Sequence, residues 1–149
     1  MNIENIEEKI IKGLSIRTSN DAETNPSLGK IPKLWMQFDK NVQVDYPSGN
    51  RVYGVYYNYE SDASGEYSVL AGTDQADCNS SIELEDVTIN SGKYLVFHAK
   101  GSMPQVVIET WGKIWNYFSK ENTEHTRAYT TDFEYYLSES EIKIYIALK

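Results

Sequence analysis

The 149-residue sequence contains a single cysteine, Cys78, and two histidines, His98 and His125. One cysteine excludes an intramolecular disulfide framework and a zinc site built from several cysteines. The histidines have no second ligand at metal spacing, so we predict no metal site, and no cofactor motif is present. Cys78 lies in a polar segment, and we predict no functional role for it.

Basic residues are also scarce, with 14 lysines and arginines against 22 aspartates and glutamates and a formal net charge of −8. Proteins that bind nucleic acid directly use clustered cations to displace counterions from the phosphates, so we expect no direct nucleic-acid binding. No apolar run approaches the ~20 residues of a membrane span, and the first residues are acidic rather than a signal peptide. We therefore expect a cytoplasmic protein that does not bind membranes and that favours cationic partners.

Aromatic residues are abundant, and 12 of them are tyrosines. Tyrosine combines a flat apolar ring with a hydroxyl group, which suits the walls of a pocket that accepts varied ligands. Tyrosine is equally common in ordinary β-strands. The composition alone does not choose between these two interpretations.

Two segments 80 positions apart have nearly the same pattern, with residues 34–38 reading LWMQF and residues 114–118 reading IWNYF. The same offset places residues 13–16 opposite 93–96 and residues 53–57 opposite 133–137. We interpret this as an internal duplication, with repeat 1 at about 8–75 and repeat 2 at about 86–149. Two such short repeats share one core more easily than they form two domains, so we predict one domain over 1–149.

Hydrophobic periodicity predicts the order β-α-β-β in each repeat. Residues 1–8 are expected to be frayed, and residues 18–26 to form a loop. Ser102 and Gln105 fit a capping box at the start of the second helix, with Pro104 in its first turn. The predicted elements are strand 9–18, a helix from about Ile31 to Lys40, strands 52–60 and 67–73, strand 86–98, a helix from Ser102 to about Glu121–Asn122, and strands 132–138 and 141–148.

These elements predict an α+β fold in which tandem βαββ modules, related by a pseudo-twofold axis, form an antiparallel sheet with two helices. One module leaves its sheet half covered, and joining two modules buries more apolar surface. A cleft between the copies is the expected place for a ligand.

The positions at which the repeats differ are candidates for the ligand site. Gly54 corresponds to Glu134, and Ile31 corresponds to Trp111. Strand alternation places Glu134 and Tyr136 on one face. If that face meets solvent, Glu134 is an ordinary exposed residue. If it lines the cleft, a cationic ligand would compensate for the desolvated carboxylate, and the empty site would raise its pKa.

Two further comparisons between the repeats concern aromatic residues. Tyr56 corresponds to Tyr136 and shares a strand face with Gly54, where the missing side chain would leave room for a ligand. Trp35 and Trp115 occupy equivalent positions in the two copies, so we expect them to pack in the core. The predicted ligand-binding residues are therefore Glu134, Trp111, Tyr136, Tyr56 and Gly54.

Residues 92–101, 109–115, 132–136 and 142–149, with 53–56 and 70–73, together resemble the GyrI-like effector-binding domain. This domain occurs in AraC-type and MerR-type multidrug-responsive transcription regulators and also as stand-alone proteins, some carried on mobile gene cassettes. The resemblance covers about residues 8–149. It implies an aromatic cleft with an acidic residue that pairs with lipophilic cations, and it matches that glutamate to Glu134 and the helix tryptophan to Trp111.

The leading hypothesis is a non-catalytic binding module for amphipathic or lipophilic organic cations. The sequence shows no helix-turn-helix, so regulatory action is expected through a protein partner such as a transcription regulator or the transcription machinery. One alternative is a small hydrolase of electrophilic xenobiotics with Glu134 as general base. Another is a protein-interaction module like the gyrase-inhibitory members of the family.

Overall fold

The computed structural model describes residues 1–77, 79–120 and 123–149. The predictions for Cys78 and for a helix end near Glu121–Asn122 lie outside these residues. The elements are β1 Asn2–Ile6, β2 Lys9–Ser19, α1 Asn20–Glu23, α2 Ile31–Asn41, β3 Val42–Gln43, β4 Val52–Tyr57, β5 Glu66–Thr73, β6 Asn79–Ser80, β7 Glu85–Ile89, β8 Gly92–Lys100, α3 Gln105–Phe118, β9 Asp132–Ser138 and β10 Glu141–Ala147.

An antiparallel sheet of eight strands dominates the fold, in the order β1-β8-β10-β9-β4-β5-β2-β7. The two central strands, β4 and β9, pair with Gly54 directly opposite Glu134. Exchanging each strand of the first repeat for its counterpart in the second reverses this order. A pseudo-twofold axis therefore passes between Gly54 and Glu134, and the predicted α+β fold with a tandem antiparallel architecture is confirmed.

The first strand of each repeat was not predicted correctly. Residues 2–6, expected to be frayed, form β1 and pair with β8 of the second repeat. The predicted single strand 86–98 is two strands, because the chain turns before Gly92, where φ is 148°, and β7 pairs with β2 of the first repeat. Each repeat is thus ββαββ and contributes its first strand to the sheet edge of the other repeat.

The constant 80-residue offset holds for the central strands and fails upstream. Gly54 pairs with Ala71, which pairs with Leu14. On the other side of the axis, Glu134 pairs with Ile144, which pairs with Phe97. Leu14 therefore corresponds to Phe97, three residues beyond the position that the constant offset predicts. The segments that follow β2 and β8 differ in length, whereas a constant offset assumes that they are equal.

The helices agree with the prediction in place and differ in their ends. Helix α2 begins at Ile31 with a proline in its first turn. Helix α3 begins at Gln105, after Pro104, and its N-terminus has no side-chain cap. The capping box is therefore wrong, and the Val106 amide instead donates to the Ser102 carbonyl at 2.9 Å.

Two loop predictions also need correction. The segment predicted as a loop over 18–26 contains the short helix α1, capped by the Ser19 hydroxyl, which accepts from the Ala22 amide. Strand β4 ends at Tyr57 instead of residue 60, because Asn58 has a φ of 50° that interrupts the extended backbone.

Both longer helices cover one face of the sheet. Helix α2 packs on β2 and β5, and helix α3 packs on β8 and β10. Their buried side chains, including Phe38 and Ile114, belong to the same core as Ile142, Ile144 and Ile146 of β10. The opposite face has its own core, which contains Val55 and is closed by residues of the sheet itself. The central strands therefore present two separate buried faces, and strand alternation assigns each side chain to one of them.

Candidate functional site

Glu134 lies in the middle of β9 on the face that the helices cover, and only 2% of its surface is exposed. Alternation along β9 places its neighbours Phe133 and Tyr135 on the opposite face, in the second core. The two interpretations that the sequence left open are thereby separated. Glu134 is a desolvated carboxylate and not an exposed strand residue.

Three neutral groups donate hydrogen bonds to this carboxylate. The indole Nε1 of Trp111 and the hydroxyl of Tyr56 donate to Oε2 at 2.7 Å and 2.9 Å, and the hydroxyl of Tyr136 donates to Oε1 at 3.0 Å. The residues come from α3, β4 and β9, so the site exists only once both repeats are assembled. Four of the five predicted site residues are therefore linked by hydrogen bonds.

Within the described ranges, the carboxyl group of Glu134 has no cationic partner. Among the residues that the structure describes, no lysine, arginine or histidine forms an ion pair with Glu134. Burial raises the pKa of Glu134, and the three hydrogen bonds lower it without cancelling the effect of burial. Burial, followed by the charge of Glu134, also raises the pKa of the Tyr56 hydroxyl well above its usual range.

Gly54 provides space for Glu134 itself. A Cβ atom at this position would overlap Oε1 of Glu134 and would lie 3.2 Å from the ring of Trp35. The prediction that Gly54 leaves room for a ligand is therefore corrected, because the carboxylate fills that room. A side chain at position 54 and the carboxylate of Glu134 would compete for the same space, so this glutamate requires a glycine opposite it.

Aromatic rings surround the carboxylate. The rings of Tyr56 and Trp111 lie 4.9 Å apart, those of Trp35 and Tyr136 lie 5.4 Å apart, and those of Trp111 and Trp115 lie 6.3 Å apart. Tyr136 and Trp35 are half-buried. This ring cluster, with Glu134 beneath it, is hereafter called the aromatic cage.

Trp35 and Trp115 were both expected in the core. Trp35 packs against the core, as predicted, and it also covers Gly54 at the edge of the cage. Trp115 is 42% exposed, so the prediction of core packing is wrong for it. The sequence contained a signal that Trp115 lies near the cage, because Trp115 follows Trp111 by one helical turn and so lies on the same side of α3.

A second buried carboxylate, that of Asp132, differs from Glu134 because it has a cationic partner. It accepts from Arg127 Nη2 at 2.7 Å, from the Tyr59 hydroxyl at 2.5 Å and from the Ala147 amide at 2.8 Å. Its charge is matched by a buried cation, as buried charges normally are. Sequence reasoning did not identify this pair. The matched pair ties the loop before β9 to the sheet, whereas Glu134 has no such partner.

Two negative observations concern the described residues alone. In residues 1–77, 79–120 and 123–149, no three histidine, cysteine, aspartate or glutamate side chains are grouped so that they could hold a metal ion. In the same ranges, no helix has the length and apolar character required to cross a membrane.

The sequence and the fold are similar to those of known proteins. The sequence model of the Cass2 family, described as integron-associated effector-binding proteins, matches residues 2–148. YobU of Bacillus subtilis (strain 168), whose name suggests a transcriptional regulator, is 30% identical over 159 residues, covering 99% of this chain and 96% of YobU.

Among solved structures, an integron cassette protein from the mobile metagenome of Vibrio cholerae is 42% identical, with a TM-score of 0.87 over 99% of this chain and 95% of that one. The protein SAV2435, solved with bound tetraphenylphosphonium, has the same fold, with 17% identity and a TM-score of 0.62 over 99% of this chain and 93% of that one. The chain belongs to the Cass2 family of integron-associated effector-binding proteins.

Proposed function

We propose that this protein binds lipophilic organic cations in the aromatic cage, with Glu134 as the counter-charge. The observation that carries the proposal is the unmatched carboxylate, which is 2% exposed and hydrogen-bonded only by neutral donors. Burying an ionised carboxylate without a cation costs several kcal/mol. A permanent cation supplied by the ligand removes that penalty, whereas a neutral or anionic ligand does not.

The rings favour a cation as well. A cation over an aromatic face gains about 0.5–2 kcal/mol, depending on how far it is desolvated. Trp111, Tyr56 and Tyr136 are hydrogen-bonded to Glu134, so a cation that contacts this carboxylate would lie against these rings. The structure of SAV2435 with tetraphenylphosphonium supports the proposal, since a protein of this fold accommodates a large aromatic cation.

Entry of a ligand requires the cage to open. Four rings of the cage lie at Glu134 and the facing Gly54, those of Tyr56, Trp111, Trp35 and Tyr136. Trp35 and Tyr136 are the half-buried pair among them. Displacing this pair exposes the carboxylate without disturbing Trp111, which is anchored on α3 and 9% exposed. A ligand of about 25 heavy atoms at roughly 0.3 kcal/mol per atom would bind with low-micromolar affinity.

Fluorescence polarisation of rhodamine 6G tests the proposal. Replacing Glu134 by Gln keeps the shape and removes the charge, and we expect affinity to fall about 30-fold to 100-fold, as is typical for loss of a charge-assisted contact. Glu139→Gln is the matched control, because Glu139 is exposed, and its affinity should equal that of the wild type. Unchanged affinity in Glu134→Gln would refute the role of Glu134.

Hydrolysis is the second candidate function, and one observation favours it. The Tyr56 and Tyr136 hydroxyls contact the same carboxylate, which is the arrangement of a general base beside two proton donors. Turnover of strained-ring electrophiles that is abolished by Glu134→Gln would favour this candidate over pure binding. Transmission of binding to a transcription regulator or the transcription machinery stays a prediction.

A further inference from the structure

A second cavity lies on the opposite face of the two central strands, directly behind Glu134. Its volume is about 210 Å³. Tyr53 of β4 and Phe133 and Tyr135 of β9 line it, and these residues alternate with Gly54 and Glu134 along the same strands. The sheet therefore separates this cavity from the aromatic cage, and no side chain of the cage lines it.

The cavity lies on the pseudo-twofold axis, yet its polar groups are not symmetric. The pairing on both sides of the axis makes Lys9 correspond to Gly92, and Tyr145 correspond to Gly72. Tyr53 corresponds to Phe133, which lacks the hydroxyl. The apolar walls are shared, since Ile6 and Ile89 correspond and both line the cavity. Its one ammonium group and its hydroxyls come from positions at which the repeats differ, as Glu134 does in the cage.

Lys9 supplies the positive charge. Its Nζ donates to the Tyr53 hydroxyl at 2.9 Å and lies 5.2 Å from the centre of the Tyr53 ring. In the described part of the chain Lys9 forms no ion pair, although acidic residues outnumber basic ones. Nζ is thus held at the cavity by a neutral hydroxyl and retains free hydrogens for a ligand.

The other polar side chains of the cavity are tyrosines, whose hydroxyls can donate as well as accept. None of the described residues that line it carries a carboxylate. Burial raises the pKa of the Tyr145 hydroxyl to about 12, so it keeps its proton at neutral pH. The Tyr145 ring is stacked on Phe133, with ring centres 4.4 Å apart and an angle of 7° between the planes. Donors surrounded by flat rings complement a planar ligand that has acceptor oxygens.

We propose that this cavity is a second binding site, which takes a small single-ring aromatic carboxylate held by Lys9 and the tyrosine hydroxyls. The volume sets the size, because drug-sized ligands need roughly 300–1,000 Å³. Benzoate has the required ring and charge. The site differs from the aromatic cage in the sign of its ligand and in the face of the sheet that it uses.

Titration of the full chain with sodium benzoate, followed by two-dimensional ¹H–¹⁵N NMR, tests this site. A ligand of this size binds in the millimolar range, so the titration extends to about 20 mM. We expect saturable shifts at the amides of Tyr53, Phe133 and Tyr145. Lys9→Met, which keeps the apolar stem, should weaken binding about tenfold. Lys12→Met is the matched control, because Lys12 pairs with Asp86 on the same edge of the sheet, and it should bind as the wild type does.

Benzyl alcohol provides the uncharged arm of the experiment. It has a similar ring and a hydroxyl instead of the carboxylate, so we expect it to bind about tenfold more weakly than benzoate. Equal binding of the two compounds, equal binding by Lys9→Met, or shifts that do not saturate would each overturn the proposal. Saturable shifts at the amides of Tyr56, Trp111 and Tyr136 instead of Tyr53, Phe133 and Tyr145 would place benzoate in the aromatic cage and would also overturn the proposal.

Discussion

Replacing Glu134 by Gln should raise the stability of the empty protein while it weakens cation binding. Burial of the ionised Glu134 carboxylate costs several kcal/mol. Its three donors each bond more strongly to an ion than to a neutral group, by about 1 kcal/mol each. Burial outweighs these bonds, which is why the pKa of Glu134 is raised. We therefore expect Glu134→Gln to increase the free energy of unfolding at pH 8 by about 1 kcal/mol, the small difference between these opposing contributions.

The difference in stability between the wild type and Glu134→Gln should depend on pH. A carboxyl group whose folded-state pKa is raised binds its proton more tightly in the folded protein, so its contribution to stability is full below the ordinary pKa of 4.5 and is lost as the pH rises through the folded value. At pH 4 wild type and variant should therefore have nearly equal stability. The advantage of the variant should appear between pH 4 and pH 8.

Urea unfolding followed by tryptophan fluorescence measures both values. Glu139→Gln makes the same chemical change at an exposed position, and its effect should be small at both pH values. The reasoning is refuted if Glu134→Gln is less stable than wild type at pH 8, because the carboxylate would then stabilise the fold. A residue that lowers stability yet is needed for binding is characteristic of a functional site.

Gly54→Ala places a methyl group against Oε1 of Glu134 and should lower the free energy of unfolding by about 1–3 kcal/mol and weaken cation binding. Gly112 on α3 has open space where a Cβ would lie, so Gly112→Ala should instead stabilise the protein by about 0.5–1 kcal/mol. Similar urea midpoints for the two variants would contradict the predicted clash between a Cβ at position 54 and Glu134. Arg127→Met leaves the Asp132 carboxylate buried without its cation and should destabilise by about 3–5 kcal/mol; a loss below about 1 kcal/mol in urea unfolding would show that the pair contributes little. Cation affinity should fall as the pH falls through the raised pKa of Glu134, because binding requires the carboxylate and releases its proton. Calorimetry in buffers of different ionisation enthalpy measures this proton release. An affinity that is independent of pH would contradict the prediction.

The central elements could be predicted from the sequence because their signals are local. The apolar stripe of α2 and the alternation in β10 each repeat within one element, and both elements were placed to within a few residues. The start of α3 was predicted three residues too early, at Ser102, because a serine and a glutamine at the correct spacing do not guarantee a cap. Strand β1 was missed because its pairing with β8, a strand of the other repeat, is not encoded in its own short sequence.

The candidate site was found by comparing the repeats, which depends on the sequence alone. Glu134 and Trp111 were identified as positions at which the copies differ, and the structure brings them to 2.7 Å. Trp115 shows the limit of this comparison, since a residue that recurs in both copies was expected in the core and is 42% exposed. Recurrence indicates a shared backbone position and does not fix how deeply that position is buried.

The sequence by itself determined the duplication, the type of most elements and the asymmetry between Gly54 and Glu134. Only the tertiary structure decided that these two residues face each other across the axis, that the carboxylate fills the space above the glycine, and that its three donors are neutral. Periodicity is a property of neighbouring residues and assigns a side chain to a face. Pairing, burial and charge compensation depend on residues far apart in the chain, and they decide whether that face holds an exposed glutamate or an unmatched buried charge.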